Sequence, residues 1–218
     1  MAINQLRLEL IYMKNIIMIL VVISSILVGC KTDNGMKHAH AEDHKGELEK
    51  ELASLSTDEL KKEYLEEIMF DDQKVRGPEG QELMLKYGRD SREHMNYVRA
   101  QWRQDSINLL KIERYFDLYG YPHKSLGINA TTAPWMVLHH SQEYSTREDN
   151  FEIIYKAFLD GHIDDGDITF FLGRMYSMKY GKMLDMENPF SADDELDKLI
   201  SGLELESKRK KIDDQYKR

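Results

Sequence analysis

The stretch that decides the fold is residues 90–122, DSREHMNYVRAQWRQDSINLLKIERYFDLYGYP. Large side chains and one carboxylate recur in it at alternating spacings of three and four: Met95, Val98, Trp102, Asp105, Leu109, Ile112, Phe116 and Tyr119. Because 3.6 residues make one helical turn, this spacing predicts one face of a long helix. Asp90 and Ser91 are typical of a helix start, and Gly120 and Pro122 of a helix end.

The segments on either side predict further helices. Upstream, Ser56 and Glu59 stand at capping-box spacing and would begin a helix that runs toward Arg76 and ends at the breaker 77–80. Its predicted inward residues are Leu60, Tyr64, Leu65, Ile68 and Met69. Downstream, apolar faces predict helices at 131–139, 146–158, 167–180 and 191–203, the last fading into the charged run 208–211. No useful alternation with a period of two is present, so the sequence predicts an all-α protein of about six helices.

The first 30 residues have the features of a lipoprotein signal peptide. A short basic segment, Met13-Lys14-Asn15, precedes the apolar run 16–28, and Leu27-Val28-Gly29-Cys30 follows the pattern of a lipobox. The run is shorter than the roughly 20 residues that span a bilayer. We therefore expect cleavage before Cys30 and lipid attachment to its thiol, with Met13 as the true start. The alternative is an uncleaved membrane anchor.

Lipidation of Cys30 predicts an address in the cell envelope, facing the periplasm or the exterior. A diacylglycerol and an added acyl chain such as palmitate are enough for stable anchoring, so the membrane is a predicted partner. Lys31 stands where an aspartate often signals retention at the inner membrane, which favours the outer membrane if the organism has one. Cys30 is the only cysteine, so the mature domain has no thiol for a disulfide, a metal or catalysis.

Charge excludes one class of partner. The chain has 30 basic and 39 acidic residues, and removing the leader takes away Arg7, Lys14 and Glu9, which leaves a net charge of −10. Such an acidic surface repels phosphate backbones, so we expect no nucleic acid partner.

The mature chain divides into three predicted parts: a polar tether at 30–46, a helical domain at 47–190, and a C-terminal helix with a charged tail at 191–218. The tether carries His38, His40 and His44, and histidine-rich tracts bind transition metals weakly. A plain solvated linker is the alternative. The domain itself has no HExxH, CxxC or phosphate-binding glycine loop, so no cofactor is predicted.

Asp105 is the most informative polar residue, because it lies on the apolar face of the longest helix. A buried carboxylate costs several kcal/mol unless it is paired and hydrogen-bonded. Three explanations are open: an ion pair with an arginine, a solvated position at the edge of the face, or a ligand or catalytic site. Asp72 and Arg76 stand four residues apart in the order that favours a helix pair, which is commonplace at a surface. Arg174 presents the same ambiguity as Asp105.

The adjacent pair His139-His140 is the remaining candidate. Neighbouring helical residues point about 100° apart, so at most one faces a given site. His139 lies one turn after Trp135 and is the expected inward member, as a satisfied core residue or, less often, as a ligand.

Several of these motifs, taken in order from about Leu65 to Lys182, resemble those of an uncharacterised family of bacterial domains of unknown function. The matching pieces are 72–76 (DQKVR), Asp105 with Asn108, 119–122 (YGYP) with Gly127, the histidine after 133–135 (APW), 172–174 (LGR) and 180–181 (YG). Gly173 stands where the family tends to carry aspartate, and 141–142 (SQ) replaces its small residue and acid. The resemblance implies a helical fold and no stated reaction. It suggests that six side chains converge: Asp72, Arg76, Asp105, Asn108, His139 and Arg174.

Three functions are compatible with these residues. The favoured one is a lipid-anchored domain that binds a small ligand or an envelope protein. The second is an envelope hydrolase with His139 as general base, oriented by Asp105 or Asp72. The third is a metal-binding lipoprotein that uses His38, His40 and His44.

Overall fold

The computed structural model describes residues 46–184 and 192–216, and in these ranges the protein is all-α, as predicted. The chain divides into two units, Met1–Glu51 and Leu52–Arg218. In the first unit, residues 46–51 are helical. The second contains α1 (Asp58–Lys74), α2 (Glu79–Tyr87), α3 (Arg92–Tyr119), α4 (Ile128–His140), α5 (Tyr144–Asp149), α6 (Phe151–Leu159), α7 (Asp165–Tyr180), α8 (Ala192–Gly202) and α9 (Glu206–Tyr216), with a 3₁₀ turn at Lys124–Leu126.

Helix α3 forms where the 3.6-residue pattern placed it. The Ser91 hydroxyl caps its start by accepting a hydrogen bond from the backbone of His94. Gly120 ends it with φ of 69° and ψ of −162°, a conformation that strongly favours glycine. Ile112 is buried, as predicted, and so is Asp105, for which the sequence left a solvated position open.

The first turns of α3 lie outside the core, and the prediction that Trp102 faces inward is wrong, since it is 46% exposed. These turns pack against α2, where Tyr97 closely approaches Gly80. No residue of α2 is buried, so there is no core for this part of the stripe to face. The sequence does not predict α2, because Gly77 and Pro78 are typical of a helix end, whereas in the structure a new helix begins at Glu79. Leu60 of α1 is also exposed, whereas Tyr64, Leu65 and Ile68 are buried.

The main core lies among α4, α6, α7, α8 and α9. Its fully buried members include Leu138, Phe151, Ile154, Phe171, Leu172, Leu199, Ile200 and Ile212. The charged run 208–211, which we expected beyond the last helix, lies within α9, and Ile212 anchors that helix in the core. Burial of one apolar side chain on a charged helix was too weak a pattern to show in the sequence.

Two helix boundaries differ from the predicted ones. Helix α4 begins at Ile128 rather than near Thr131, and Pro134 lies inside it. The predicted helix 146–158 is two helices that meet at Asn150. There the Asn150 side-chain amide donates to the Thr146 carbonyl and competes with the helical backbone pattern.

Among the described helices, none combines the length and the apolar character that crossing a bilayer requires.

Candidate functional site

Asp72 is the centre of a charged network that joins α1, α3 and α4. The residue is fully buried. Its Oδ1 lies 3.2 Å from Arg76 Nη1 and 2.9 Å from His140 Nδ1. Its Oδ2 accepts a hydrogen bond of 2.8 Å from Gln73 Nε2. The i, i+4 pair that looked like an ordinary surface pair in the sequence is therefore mostly buried, and a residue from α4 completes it.

Arg76 extends the network to Asp105. Its Nη2 lies 2.5 Å from Asp105 Oδ1, and its Nη1 also donates to the Asp72 carbonyl at 2.7 Å. Burial raises the pKa of the Asp105 carboxyl, and the neighbouring Arg76 only partly offsets this effect. Of the three explanations for Asp105, the ion pair with an arginine is the one that the structure shows.

Asn108 is buried one turn after Asp105, but it faces a different neighbour. Its Oδ1 accepts a hydrogen bond of 2.9 Å from Gln104 Nε2. Its Nδ2 has no hydrogen-bond partner among the described residues. Asn108 therefore lies beside the network, but it forms no hydrogen bond with a residue of the network.

The two adjacent histidines have separate environments. His140 is hydrogen-bonded to the Asp72 carboxylate. The sequence had suggested such a bond for His139 instead. His139 is only 8% exposed and stacks on Phe170, with 4.3 Å between ring centroids and an interplanar angle of 16°. Burial lowers the pKa of His139 to about 3, and the positive charges of Arg147, Arg174 and Arg76 act in the same direction. So depressed a pKa makes His139 a poor general base near neutral pH.

A cavity of about 220 Å³ opens on this network. Its walls are formed by Arg76, Gln101, Asp105, His139, His140, Gln142 and Arg174. Four of the six predicted site residues therefore line one space, and Asp72 supports it from behind. Arg174, on α7, is exposed and has no ion pair with any described residue.

Arg147, on α5, is a buried residue that the sequence argument missed. Its side chain is fully buried, and its Nη2 donates to the backbone carbonyls of His139 and Ser141. Among the described residues its Nε and Nη1 have no hydrogen-bond partner and no carboxylate pairs with it. Burial, followed by the charge of Arg174, lowers the pKa of Arg147 to about 9.

A signal for Arg147 was present in the sequence. It lies four residues before Phe151 and seven before Ile154, so it continues the apolar face of the predicted helix 146–158. A charged residue on such a face should have attracted the same question as Asp105.

A larger cavity, of about 780 Å³, lies among α3, α6 and α9. Most of its charged residues already have partners across short distances. Arg114 pairs with Asp117 at 3.1 Å, and Lys156 with Glu152 at 2.7 Å. Both cations of this cavity are therefore paired, whereas the smaller cavity contains Arg174, a cation with no ion pair among the described residues, and we assign the candidate site to the smaller cavity.

The predicted lipid attachment site, Cys30, and the predicted metal ligands, His38, His40 and His44, lie outside the described residues. In the described part of the chain, no three His, Cys, Asp or Glu side chains are arranged to hold a metal ion. The metal-binding interpretation of the tether therefore stays a prediction.

Comparisons with known proteins found no matching protein-family model, no matching curated protein and no matching solved structure.

Proposed function

We propose that this protein is a lipid-anchored envelope protein whose helical domain binds a small anionic ligand in the cavity beside Arg174. The observation that carries the proposal is the position of Arg174. It lines the cavity and has no carboxylate partner among the described residues. An exposed cation at a concave polar site favours an anion, because the two charges attract most strongly where water is partly excluded.

The charges around the cavity support an anion rather than a cation. The two carboxylates near the cavity, Asp72 and Asp105, both form ion pairs with Arg76. Arg174 and Arg147 have no carboxylate partner among the described residues, which leaves an excess of positive charge near His139. The remaining polar wall residues, Gln101, Gln142 and His140, offer hydrogen bonds that would orient the ligand.

Replacing Arg174 with glutamine is expected to weaken binding of a short anion such as butanoate about 10- to 100-fold. The estimate follows from about 1.5–3 kcal/mol for a hydrogen bond to a charged group. Isothermal titration of the full chain in lipid nanodiscs, with empty nanodiscs as reference, would measure it. Arg114→Gln, which removes a half-buried arginine of the larger cavity, is the control and should bind normally. Equal affinity in the wild type and Arg174→Gln would refute the proposal.

The Asp72–His140 pair favours a second candidate, a hydrolase. A carboxylate on Nδ1 holds an imidazole in one tautomer and leaves Nε2 to accept a proton from water. The hydrogen bond of 2.9 Å from His140 Nδ1 to Asp72 fits this role. Butanoate esters and phosphate esters separate the two functions: release of product that His140→Gln abolishes would favour the hydrolase, and binding without turnover favours the binding domain.

The anchor is supported by the lipobox and the apolar run before it. Cys30→Ala is expected to abolish incorporation of a labelled fatty acid and to leave the precursor uncut, since the thiol is the attachment point. Metabolic labelling followed by gel electrophoresis measures both effects. Ser25→Ala, within the apolar run, serves as the control and should be processed normally. Normal labelling of the Cys30 variant would contradict the anchor and the address at the cell envelope.

A further inference from the structure

A second cavity adjoins the proposed anion site. It has a volume of about 460 Å³ and shares His139 and Arg174 with the smaller cavity. A molecule bound at Arg174 would therefore reach both spaces. The volume of the second cavity is enough to hold a body larger than the charged group itself.

The walls of this second cavity are mainly apolar. Phe170 is 59% exposed beside it and Met183 is 80% exposed. The Thr169 hydroxyl is occupied by the carbonyls of Asp165 and Gly166. His139 contributes an imidazole that is neutral at physiological pH, because its pKa is about 3. These side chains therefore offer a ligand mainly apolar contacts and few hydrogen bonds.

Gly173 keeps this cavity open. It lies inside α7 without a positive φ, and apart from its chain neighbours and the backbone of the adjoining helical turns no heavy atom lies within 4 Å of the position that a Cβ would take. Neither packing nor backbone conformation therefore requires a glycine here, although glycine inside a helix is destabilising. What the missing side chain provides is free space on the cavity wall.

We propose that the ligand is an amphiphile, with an anionic headgroup at Arg174 and an apolar body along Phe170, Gly173 and Met183. This inference rests on the proposed anion-binding function and adds the chemical class of the ligand. The direction of binding follows from charge. Glu195 lines only the second cavity, so an anion there would meet a carboxylate, whereas at the shared end it meets Arg174.

The test compares the affinities of butanoate and octanoate for the full chain in lipid nanodiscs, with empty nanodiscs measured in parallel to subtract partitioning. Octanoate should bind about 10- to 200-fold more tightly than butanoate. The upper limit corresponds to full burial of four methylenes at about 0.8 kcal/mol each. Gly173→Phe fills the cavity and should remove most of this gain, so the ratio of the butanoate and octanoate dissociation constants should fall toward one. Glu63→Phe, which adds an aromatic ring at an exposed position of α1, should change neither affinity.

The outcomes separate the two proposals. If both acids bind equally and both depend on Arg174, the anion site stands and the amphiphile is refuted. If octanoate keeps its advantage in Gly173→Phe, the apolar body binds elsewhere and the inference is also refuted. If neither acid binds, or neither depends on Arg174, the proposed function fails together with the inference.

Discussion

Replacing Asp72 with alanine is expected to lower the free energy of unfolding by about 3–5 kcal/mol, as when one partner of a buried ion pair is removed. Asp72 is fully buried and accepts contacts from Arg76, His140 and Gln73. Its loss leaves the mostly buried Arg76 with Asp105 alone and removes the hydrogen bond that joins α1 to His140 of α4. Urea denaturation of the two proteins measures the difference.

The neighbouring residue provides the control for Asp72. Asp71 is on the same helix, is only partly buried and has no ion pair among the described residues. Asp71→Ala should change the free energy of unfolding by no more than about 0.5 kcal/mol, as is usual away from buried networks. A loss below about 1 kcal/mol for Asp72→Ala would show that the network does not stabilise the fold as a buried ion pair should.

Acidification from pH 7 to pH 5 is expected to cost the folded state about 2 kcal/mol through His139 alone. Well above pH 6.5 its imidazole is neutral in both the folded and the unfolded state and has no effect on stability. Below pH 6.5 the unfolded chain takes up a proton, whereas the folded protein does not until about pH 3. The unfolded state therefore binds more protons in this window, and stability falls as the pH falls.

The measurement compares denaturation of the wild type and His139→Leu at pH 7 and pH 5. Leucine does not titrate, so the difference between the two proteins should change by about 2 kcal/mol across the window. His123→Asn is the control, because His123 is exposed and asparagine can also cap the turn that follows it. The same pH dependence in wild type and His139→Leu would mean that His139 is not held neutral by its surroundings.

The helical architecture was readable from the sequence because it depends on local periodicity. The 3.6-residue pattern of 95–119 predicted the longest helix, and Gly120 marked its end. The exposure of Trp102 was not readable, since it depends on which helix packs against the first turns of α3. Helix α2 was not predicted because Gly77 and Pro78 before it are typical of a helix end, and in the structure none of its residues is buried.

The site was only partly predictable for a related reason. Asp105 stood out because a carboxylate interrupted an apolar face, and Arg147 could have been found in the same way. The pairing of Asp72 with His140 spans 68 positions in the chain, so no local pattern contains it. Only the resemblance to a family of unknown function suggested that these residues converge, and that resemblance stays a prediction.

The choice between the two histidines also depended on distant contacts. Because neighbouring helical residues point about 100° apart, His139 and His140 must face different surroundings. Helical geometry alone does not determine which of the two contacts a carboxylate. The position of α1 beside α4 decides that His140 reaches Asp72, and the position of α7 places Phe170 against His139.

The most direct test of the anion site is the imidazole ¹⁵N NMR spectrum of His140 during titration of the full chain with butanoate. Asp72 holds Nδ1 of His140, so Nε2 is the nitrogen left to meet a ligand in the cavity. We expect the Nε2 resonance to shift in proportion to the bound fraction in the wild type. At a butanoate concentration near the wild-type Kd, the shift in Arg174→Gln should be several-fold smaller, because that variant binds more weakly. Saturable binding of butanoate with no change at His140 would place the anion elsewhere and contradict the site.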